Sequence, residues 1–580
     1  MDELILKRID EWQGEEYDEA TRREISGLVI KKDERELTDR FYAELEFGTA
    51  GLRGTLGAGS NRMNIYVVRK ATQGLANYIL KQGPGISGRG VLVGRDSRIM
   101  SDAFAMETAS VLIANGIRVY YYEDIHPTPT VSFGVRRLNA ISGVMITASH
   151  NPKEYNGYKV VWEDGAQITP PHDSEIIKEV RAISSLKQVK HIDASEIRKN
   201  PLFSIADGLV DGDYLSKVKS LSIHPEIIQS SGVKICYSPL YGTGYRLVPE
   251  SLKNFGFKNI EIVKEQAVPD GNFPTAPYPN PEEPEAMAVG MKYAKESGAD
   301  VFIATDPDAD RLGVMLKKEK GDYVLLNGNQ IATLLGFYIM SELYETGKMP
   351  SNPRIIKTIV TTDTLPAIAK TYGIETDEVL TGFKWIGAKL KEYEKSGYNY
   401  VFGGEESHGY SAGTFVRDKD AVISGSMFAE LVAFYLSKGL SAYRVLENIY
   451  ERFGFFSESQ QSVTLKGRDG AMQIKALMEK LRKTPPEKIS RYKVLEVIDL
   501  ESYKNGKWQL PKSDVVILKL SDNAKVIARP SGTEPKIKFY FTTFGKLTGG
   551  SKDINGLMET VKAAHEELKA GFLTDMGLRA

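Results

Sequence analysis

The sequence predicts an α/β protein: three related α/β domains with mixed sheets plus a C-terminal α+β domain, arranged around a central cleft. Short apolar, β-branched runs alternate with amphipathic helical stretches up to about Tyr450. One three-beat pattern of such runs recurs three times, as related domains would show. Beyond Tyr450 the rhythm changes to consecutive strands with flanking helices. The expected domains are 1–205, 206–321, 322–450 and 451–580, since 580 residues are too many for one core.

The first forty-odd residues are helical in texture, with dense charge and apolar residues at helical spacing, and read as a packing arm. Phe47 to Gly54 follows as a glycine-rich loop around Arg53; exposed backbone N–H groups and a guanidinium suit a phosphate. An ordinary turn explains such a stretch equally well. In the first round Val91–Val93 and Arg118–Tyr121 precede the Val144–Thr147 strand, which ends at Ser149. The second round runs through Val233–Tyr237 and Ile260–Val263 to Val301–Ala304, ending at Asp306. The third runs from Ile355–Val360 past Val379 to Tyr398–Phe402, ending at Gly403-Gly404-Glu405. Helical stretches such as Asp102–Asn115 and Glu282–Glu296 separate the beats. In the last domain Val494–Ile498, Val515–Lys519, Lys525–Ala528 and Ile537–Phe541 read as strands, with helices at Met472–Leu481 and Ile554–Leu568.

Composition narrows the class. A formal charge of −1 argues against a general nucleic-acid or membrane-surface binder. The longest apolar run, Ile331 to Met340, falls short of the ~20 residues that span a bilayer. Cys236 is the single cysteine and reads as a small buried hydrophobe, which fits a reducing compartment. The acidic, amphipathic start lacks a signal peptide's apolar core, so a cytoplasmic protein is expected.

Each third beat delivers chemically capable residues to the carboxyl end of a strand, where ligands of α/β sheets collect. Ser149 follows a buried run with His150 beside it and Lys159 ten residues on. A plain strand exit competes evenly with a reactive serine there. Asp306-Pro307-Asp308-Ala309-Asp310-Arg311 crowds three carboxylates, which repel unless a cation sits among them. A calcium-binding EF-hand is ruled out, because Arg311 stands where glycine is needed and Lys317 where glutamate is. Few carboxylates beside an arginine suit Mg²⁺ shared with a phosphate, against a solvated acidic turn as the alternative. Glu405, Glu406 and Ser407 offer the acceptors and hydroxyl that sugar hydroxyls require, with His408 filling a loop position. Arg529, Ser531, Gly532 and Thr533 combine a guanidinium, hydroxyls and a glycine N–H as a phosphate cradle. Neither a GK[ST] phosphate loop nor a dinucleotide fingerprint is present.

Taken in order, these four sites resemble the α-D-phosphohexomutase superfamily, in particular its phosphoglucomutase branch. Thr147-Ala148-Ser149-His150-Asn151-Pro152 resembles the phosphoserine loop, Asp306–Arg311 the magnesium loop, Gly404–Ser407 the sugar loop, and Arg529–Thr533 the phosphate loop. The resemblance implies an isomerase that moves phosphate between O1 and O6 of a hexose through phosphorylated Ser149. Glucose 1,6-bisphosphate would be intermediate and activator, and Asp306, Asp308, Asp310 and a phosphoserine oxygen would hold Mg²⁺. Arg53 and Arg311 would add positive charge, Lys159 would serve proton transfer, and His150 would belong to the catalytic group. Thr49, Thr381, Gly382, Glu405, Ser407, Lys419, Arg529, Ser531, Gly532, Thr533 and Lys538 would bind substrate. The expected partner is a small sugar phosphate, with no nucleic acid or membrane, and the chain a monomer or weak dimer.

The Glu-Glu-Ser-His-Gly form of the sugar loop is similar to glucose-preferring members. The length and the amino-terminal arm resemble a longer subgroup that includes phosphopentomutases. Glucose phosphate is the first expectation; pentose or mannose phosphates are the alternatives. A phosphatase or a silent phosphosugar sensor ranks lower: a sensor has no use for Ser149 and the aspartates, a phosphatase none for the Arg529 cradle.

Overall fold

The computed structural model describes residues 1–48, 51–319, 321–465, 467–502, 510–531, 536–549 and 553–578. Three short helices, Glu3–Glu11, Glu19–Lys31 and Glu34–Phe41, open the chain, each N-capped by an aspartate: Asp2, Asp18 and Asp33. Their apolar faces close over Trp12, Tyr17, Phe41 and Tyr66 as a satellite core, so the amino-terminal arm is packed onto the first domain.

The first domain is a six-stranded mixed sheet in the order β1-β5-β4-β2-β3-β6. Its strands are β1 (Gly51–Thr55), β2 (Val91–Arg95), β3 (Val119–Tyr121), β4 (Ser142–Ile146), β5 (Tyr155–Trp162) and β6 (Phe203–Ile205). Strands β4, β2, β3 and β6 are parallel; β5 and β1 add antiparallel at one edge. The second sheet holds β7 (Lys234–Ser238), β8 (Asn259–Ile262), β9 (Val301–Thr305), β10 (Leu312–Lys317) and β11 (Tyr323–Leu325), in the order β11-β10-β9-β7-β8. The third holds β12 (Pro353–Thr358), β13 (Glu375–Val379), β14 (Asn399–Glu405) and β15 (Gly409–Ser411), in the order β13-β12-β14-β15.

All three share one device. A parallel strand, buried throughout (β4, β9) or at all but its first residue (β14), turns back through a short loop into an antiparallel neighbour (β5, β10 or β15). Each site loop is therefore a hairpin turn at the carboxyl end of a central strand, anchored on both sides by ladder hydrogen bonds. The fourth sheet is antiparallel: β16 (Phe455–Thr464), β17 (Lys488–Ile489), β18 (Tyr492–Asp499), β19 (Val516–Leu520), β20 (Lys525–Pro530) and β21 (Lys536–Gly545), in the order β16-β21-β20-β19-β18-β17. The helices Gly467–Lys483 and Ile554–Asp575 flank it. Among the described residues no single helix is long and apolar enough to cross a bilayer.

One expectation needs correction. Phe47 to Gly54 is not simply a glycine-rich loop: its second half is β1, paired with β5 so that Arg53 faces Gly157. The glycines serve close strand approach. Gly51 has φ +114°, and a Cβ there would sit 1.8 Å from the Tyr158 carbonyl oxygen. Gly51→Ala is expected to destabilise the protein by about 2 kcal/mol or more, read as a lower urea midpoint. An unchanged midpoint would show that the edge strand can move aside.

Candidate active site

Strand β4 is buried at all five positions and delivers Ser149 in a left-handed conformation, φ +52°, uncommon for a non-glycine residue. Two contacts hold that turn. The Ser149 N–H donates to Thr147 Oγ1 at 2.7 Å. Arg98, nearly fully buried, donates to the carbonyls of Ser149 (2.5 Å), Pro152 (2.8 Å), Tyr155 (3.1 Å) and Asn151. Asp96 fixes Arg98 in turn, accepting its backbone N–H at 2.9 Å. Arg98 is not legible in the sequence, because a buried arginine in a polar turn carries no periodic signal.

The Asp306–Arg311 hairpin meets this loop directly. Ser149 Oγ donates to Asp306 Oδ2 at 2.9 Å, across 157 residues of chain. Asp306 Oδ1 accepts the N–H groups of Asp310 (3.0 Å) and Arg311 (2.9 Å). Thr128 Oγ1 and Lys159 Nζ each donate to Asp308 Oδ2 at 2.7 Å. Asp310 Oδ2 receives Lys159 Nζ at 3.5 Å and Lys419 Nζ at 3.1 Å.

The cluster is electrostatically loaded. Burial, and then the Asp308 and Asp310 charges, push the Asp306 carboxyl well above its ordinary range. Burial would also raise Asp308, but the adjacent Lys159 ammonium overrides it and holds that carboxyl below its usual range. Burial acts against the Lys159 ammonium too, yet Asp308 and Asp310 outweigh it and raise its pKa. Oxygens of all three aspartates lie within 4.8 Å of one another, and Asp308 Oδ1 and Asp310 Oδ1 are buried without a hydrogen-bond partner. Buried carboxylate oxygens left open in this way fit a hard divalent cation.

His150 places Nδ1 3.1 Å from Ser149 Oγ, and burial, reinforced by Arg311 and Arg53, drives its pKa well down. Arg53 donates to Asn151 Oδ1 at 3.2 Å. Arg311 pairs with Glu282, a residue the sequence did not single out.

The third domain contributes from two loops. Glu405 Oε1 accepts the Gly382 N–H at 2.8 Å, tying the sugar-type loop to Thr381-Gly382. Burial lifts the Glu405 carboxyl to about 7, with Lys419 opposing. His408, at φ +64°, is a structural residue: its Nδ1 lies 2.9 Å from the Leu312 carbonyl, locking the second and third domains together. Lys419 lies across Gly409, where a Cβ would come within 2.0 Å of its Cδ. In the fourth domain Arg529 on β20 is in register with Lys538 on β21, and the Ser531 N–H donates to the Lys536 carbonyl at 2.7 Å. Thr49, Gly532 and Thr533 lie outside the described residues.

These pieces open onto one cleft of about 800 Å³. Arg53, Ser149, His150, Lys159, Asp310 and Arg311 line one part of it. Thr381, Gly382, Glu405, Ser407 and Lys419 line it as well, and so do Arg529 and Lys538. Asp306 and Asp308 are fully buried beneath the serine. Residues not anticipated also face it, among them Tyr278, Lys384, Gln460 and Tyr540. The arrangement sets a serine hydroxyl against a cation site, in a cleft whose lining includes further cations, Arg529 and Lys538, that can meet a second anion. Asp308→Asn is expected to weaken Mg²⁺ or Mn²⁺ binding about tenfold or more in titration calorimetry; unchanged affinity would put the ion elsewhere.

Comparison with known proteins gives the same picture. Models of the phosphoglucomutase/phosphomannomutase α/β/α domains I, II and III match residues 44–187, 212–321 and 327–453. The phosphopentomutase of Pongo abelii is 34% identical over 554 residues, covering 91% of this chain and 90% of that protein. The phosphoglucomutase of Staphylococcus saprophyticus is 35% identical over 519 residues, covering 88% and 92%. The crystal structure of parafusin, a phosphoglucomutase from Paramecium in its open form, shares the fold at 17% identity with a TM-score of 0.66, covering 91% and 95%. Matched over most of its length by relatives at about one-third identity, the chain belongs to the phosphoglucomutase/phosphomannomutase family of the α-D-phosphohexomutase superfamily, and is an enzyme of the mutase class.

Proposed function

We propose that the protein is a phosphoglucomutase, interconverting glucose 1-phosphate and glucose 6-phosphate through phosphorylated Ser149 and glucose 1,6-bisphosphate. One observation carries the reading: Ser149 Oγ, hydrogen-bonded to Asp306, faces the same cleft as the Arg529–Lys538 wall. A single-step phosphoryl transfer needs only the first of these; a mutase needs both, because its intermediate carries two phosphates.

In the forward half-reaction the P–Oγ bond of phosphorylated Ser149 breaks as a bond forms from phosphorus to the sugar hydroxyl facing it. The attacking hydroxyl gives up its proton and the leaving serine oxygen takes one up, with Lys159 Nζ as the carrier. Asp306, Asp308, Asp310 and a phosphoserine oxygen would hold Mg²⁺, which supplies charge neutralisation to the transferring group. Arg53 and Arg311 add positive charge on the open side. Glu405 and Ser407 hold sugar hydroxyls, while Arg529, Ser531 and Lys538 hold the phosphate that does not react. Holding that end is what allows the bisphosphate to turn over and return its other phosphate to Ser149.

The Glu405-Glu406-Ser407-His408-Gly409 loop favours glucose. A pentose phosphate is the second reading, supported by the similarity to phosphopentomutase across nine-tenths of both chains. We assign the enzyme to the cytoplasm on its single buried cysteine and ordinary composition.

Ser149→Ala is expected to lower turnover by about three orders of magnitude or more while sugar phosphate still binds. Near-normal turnover would reject the covalent route. A coupled assay of glucose, mannose and ribose 1-phosphates in parallel, with catalytic bisphosphate, reads the substrate: highest kcat/KM on glucose 1-phosphate is expected. A preference for the pentose would move the assignment to the second reading.

A further inference from the structure

The cations of the cleft fall into two kinds. Around Ser149 three are paired, Lys159 with Asp308, Lys419 with Asp310 and Arg311 with Glu282, while the printed partner of Arg53 is the neutral Asn151 amide oxygen. Lys384, Lys512, Arg529 and Lys536 line the same cleft, and among the described residues none has a carboxylate oxygen within 4.0 Å. Lys384 stands out because it does not belong to the fourth domain. It sits in the first turn of the helix Phe383–Ser396 of the third domain, two residues past Gly382, and Arg529 lies on β20.

Lys384 is half-buried, and its recorded neighbour is the Trp385 ring, 5.1 Å from Nζ to the centroid. Burial holds its ammonium below its ordinary range; Asp173 pulls the other way and Arg529 adds repulsion. Lys538 is depressed by burial and by Lys536 and Arg529 in the same way. Two like charges carried by different domains thus line one cleft, and among the described residues neither has a carboxylate oxygen within 4.0 Å. A dianion placed there converts the repulsion into two attractions, each a charge-assisted hydrogen bond.

We propose that Lys384 is a substrate-binding residue, gripping with Arg529 the non-reacting phosphate of the sugar, so that one phosphate bridges the third and fourth domains. The inference rests on the mutase reading above and adds a residue to it. Arg529 and its neighbours on β21 can hold a phosphate within the fourth domain alone. Only a contact from Lys384 makes phosphate binding favour a particular approach of the two domains, and so couples the grip to closure over the serine.

The test compares Lys384→Met and Lys384→Arg with the wild type. Lys384→Met is expected to lower kcat/KM for glucose 1-phosphate by about tenfold, mainly through KM, and to weaken inhibition by inorganic phosphate by a similar factor. It is also expected to flatten the salt dependence of KM, while Lys384→Arg recovers most of the loss. A KM and a phosphate inhibition constant both unchanged to within about twofold would overturn the proposal. Thermal midpoints check that each variant is folded; if Lys384→Met is not, Lys384→Gln takes its place. Should the wild type turn over no sugar phosphate, the mutase reading fails separately. Calorimetry with inorganic phosphate then decides Lys384 directly: weaker binding in the variant supports the site, and equal binding removes it.

Discussion

Three carboxylates and a serine hydroxyl are held out of water where the first two domains meet, and the rest of the molecule is arranged around keeping them there. Buried carboxylates without partners would be prohibitively costly. Here the partners come from far along the chain: Thr128 and Lys159 from the first domain, Lys419 from the third. Asp310 Oδ2 is shared by Lys159 and Lys419, so one oxygen ties three domains together. Losing a single member leaves a buried charge uncompensated, typically about 3–5 kcal/mol. The site and the relative placement of the first three domains are therefore parts of one electrostatic problem.

Other contacts across the same boundaries reinforce this. Gln167 of the first domain donates to Asp418 at 2.7 Å, beside Lys419, and Lys391 pairs with Asp164 at 3.1 Å. The His408 ring on the Leu312 carbonyl stitches the second domain to the third. The fourth domain is joined differently: Lys525 reaches Asp363 at 2.9 Å, and Asp363 also faces the buried Lys357 at 3.0 Å. Three of the cations near the serine are ion-paired, whereas among the described residues Arg53, Lys384, Arg529 and Lys536, which line the same cleft, have no carboxylate oxygen within 4.0 Å.

Much of the architecture was legible because buried parallel strands are continuous apolar runs. The runs before Ser149, before Asp306 and through Phe402 are the central strands β4, β9 and β14, and the polar residues after them are hairpin loops. Their antiparallel partners were not recognised. Strand β5, Tyr-Asn-Gly-Tyr-Lys-Val-Val-Trp, interrupts its apolar pattern with Asn156, which bonds the Ile99 carbonyl and Ser101, and with Lys159, which faces the site. Strand β1 was hidden because the glycines that let it press against β5 are the same residues that mark turns.

The amino-acid sequence by itself determined the elements and the chemistry available at each loop: a serine after one strand, three acids after another, a glutamate pair after a third. These are local properties of periodicity and residue type. Only the tertiary structure decided which of those groups touch. The 2.9 Å bond from Ser149 to Asp306, the support of Arg98 beneath the serine loop, and the placing of Lys384 and Arg529 on one cleft all bring together residues distant in the chain. Charge balance in a water-poor site is a sum over neighbours in space, and no stretch of sequence contains that sum.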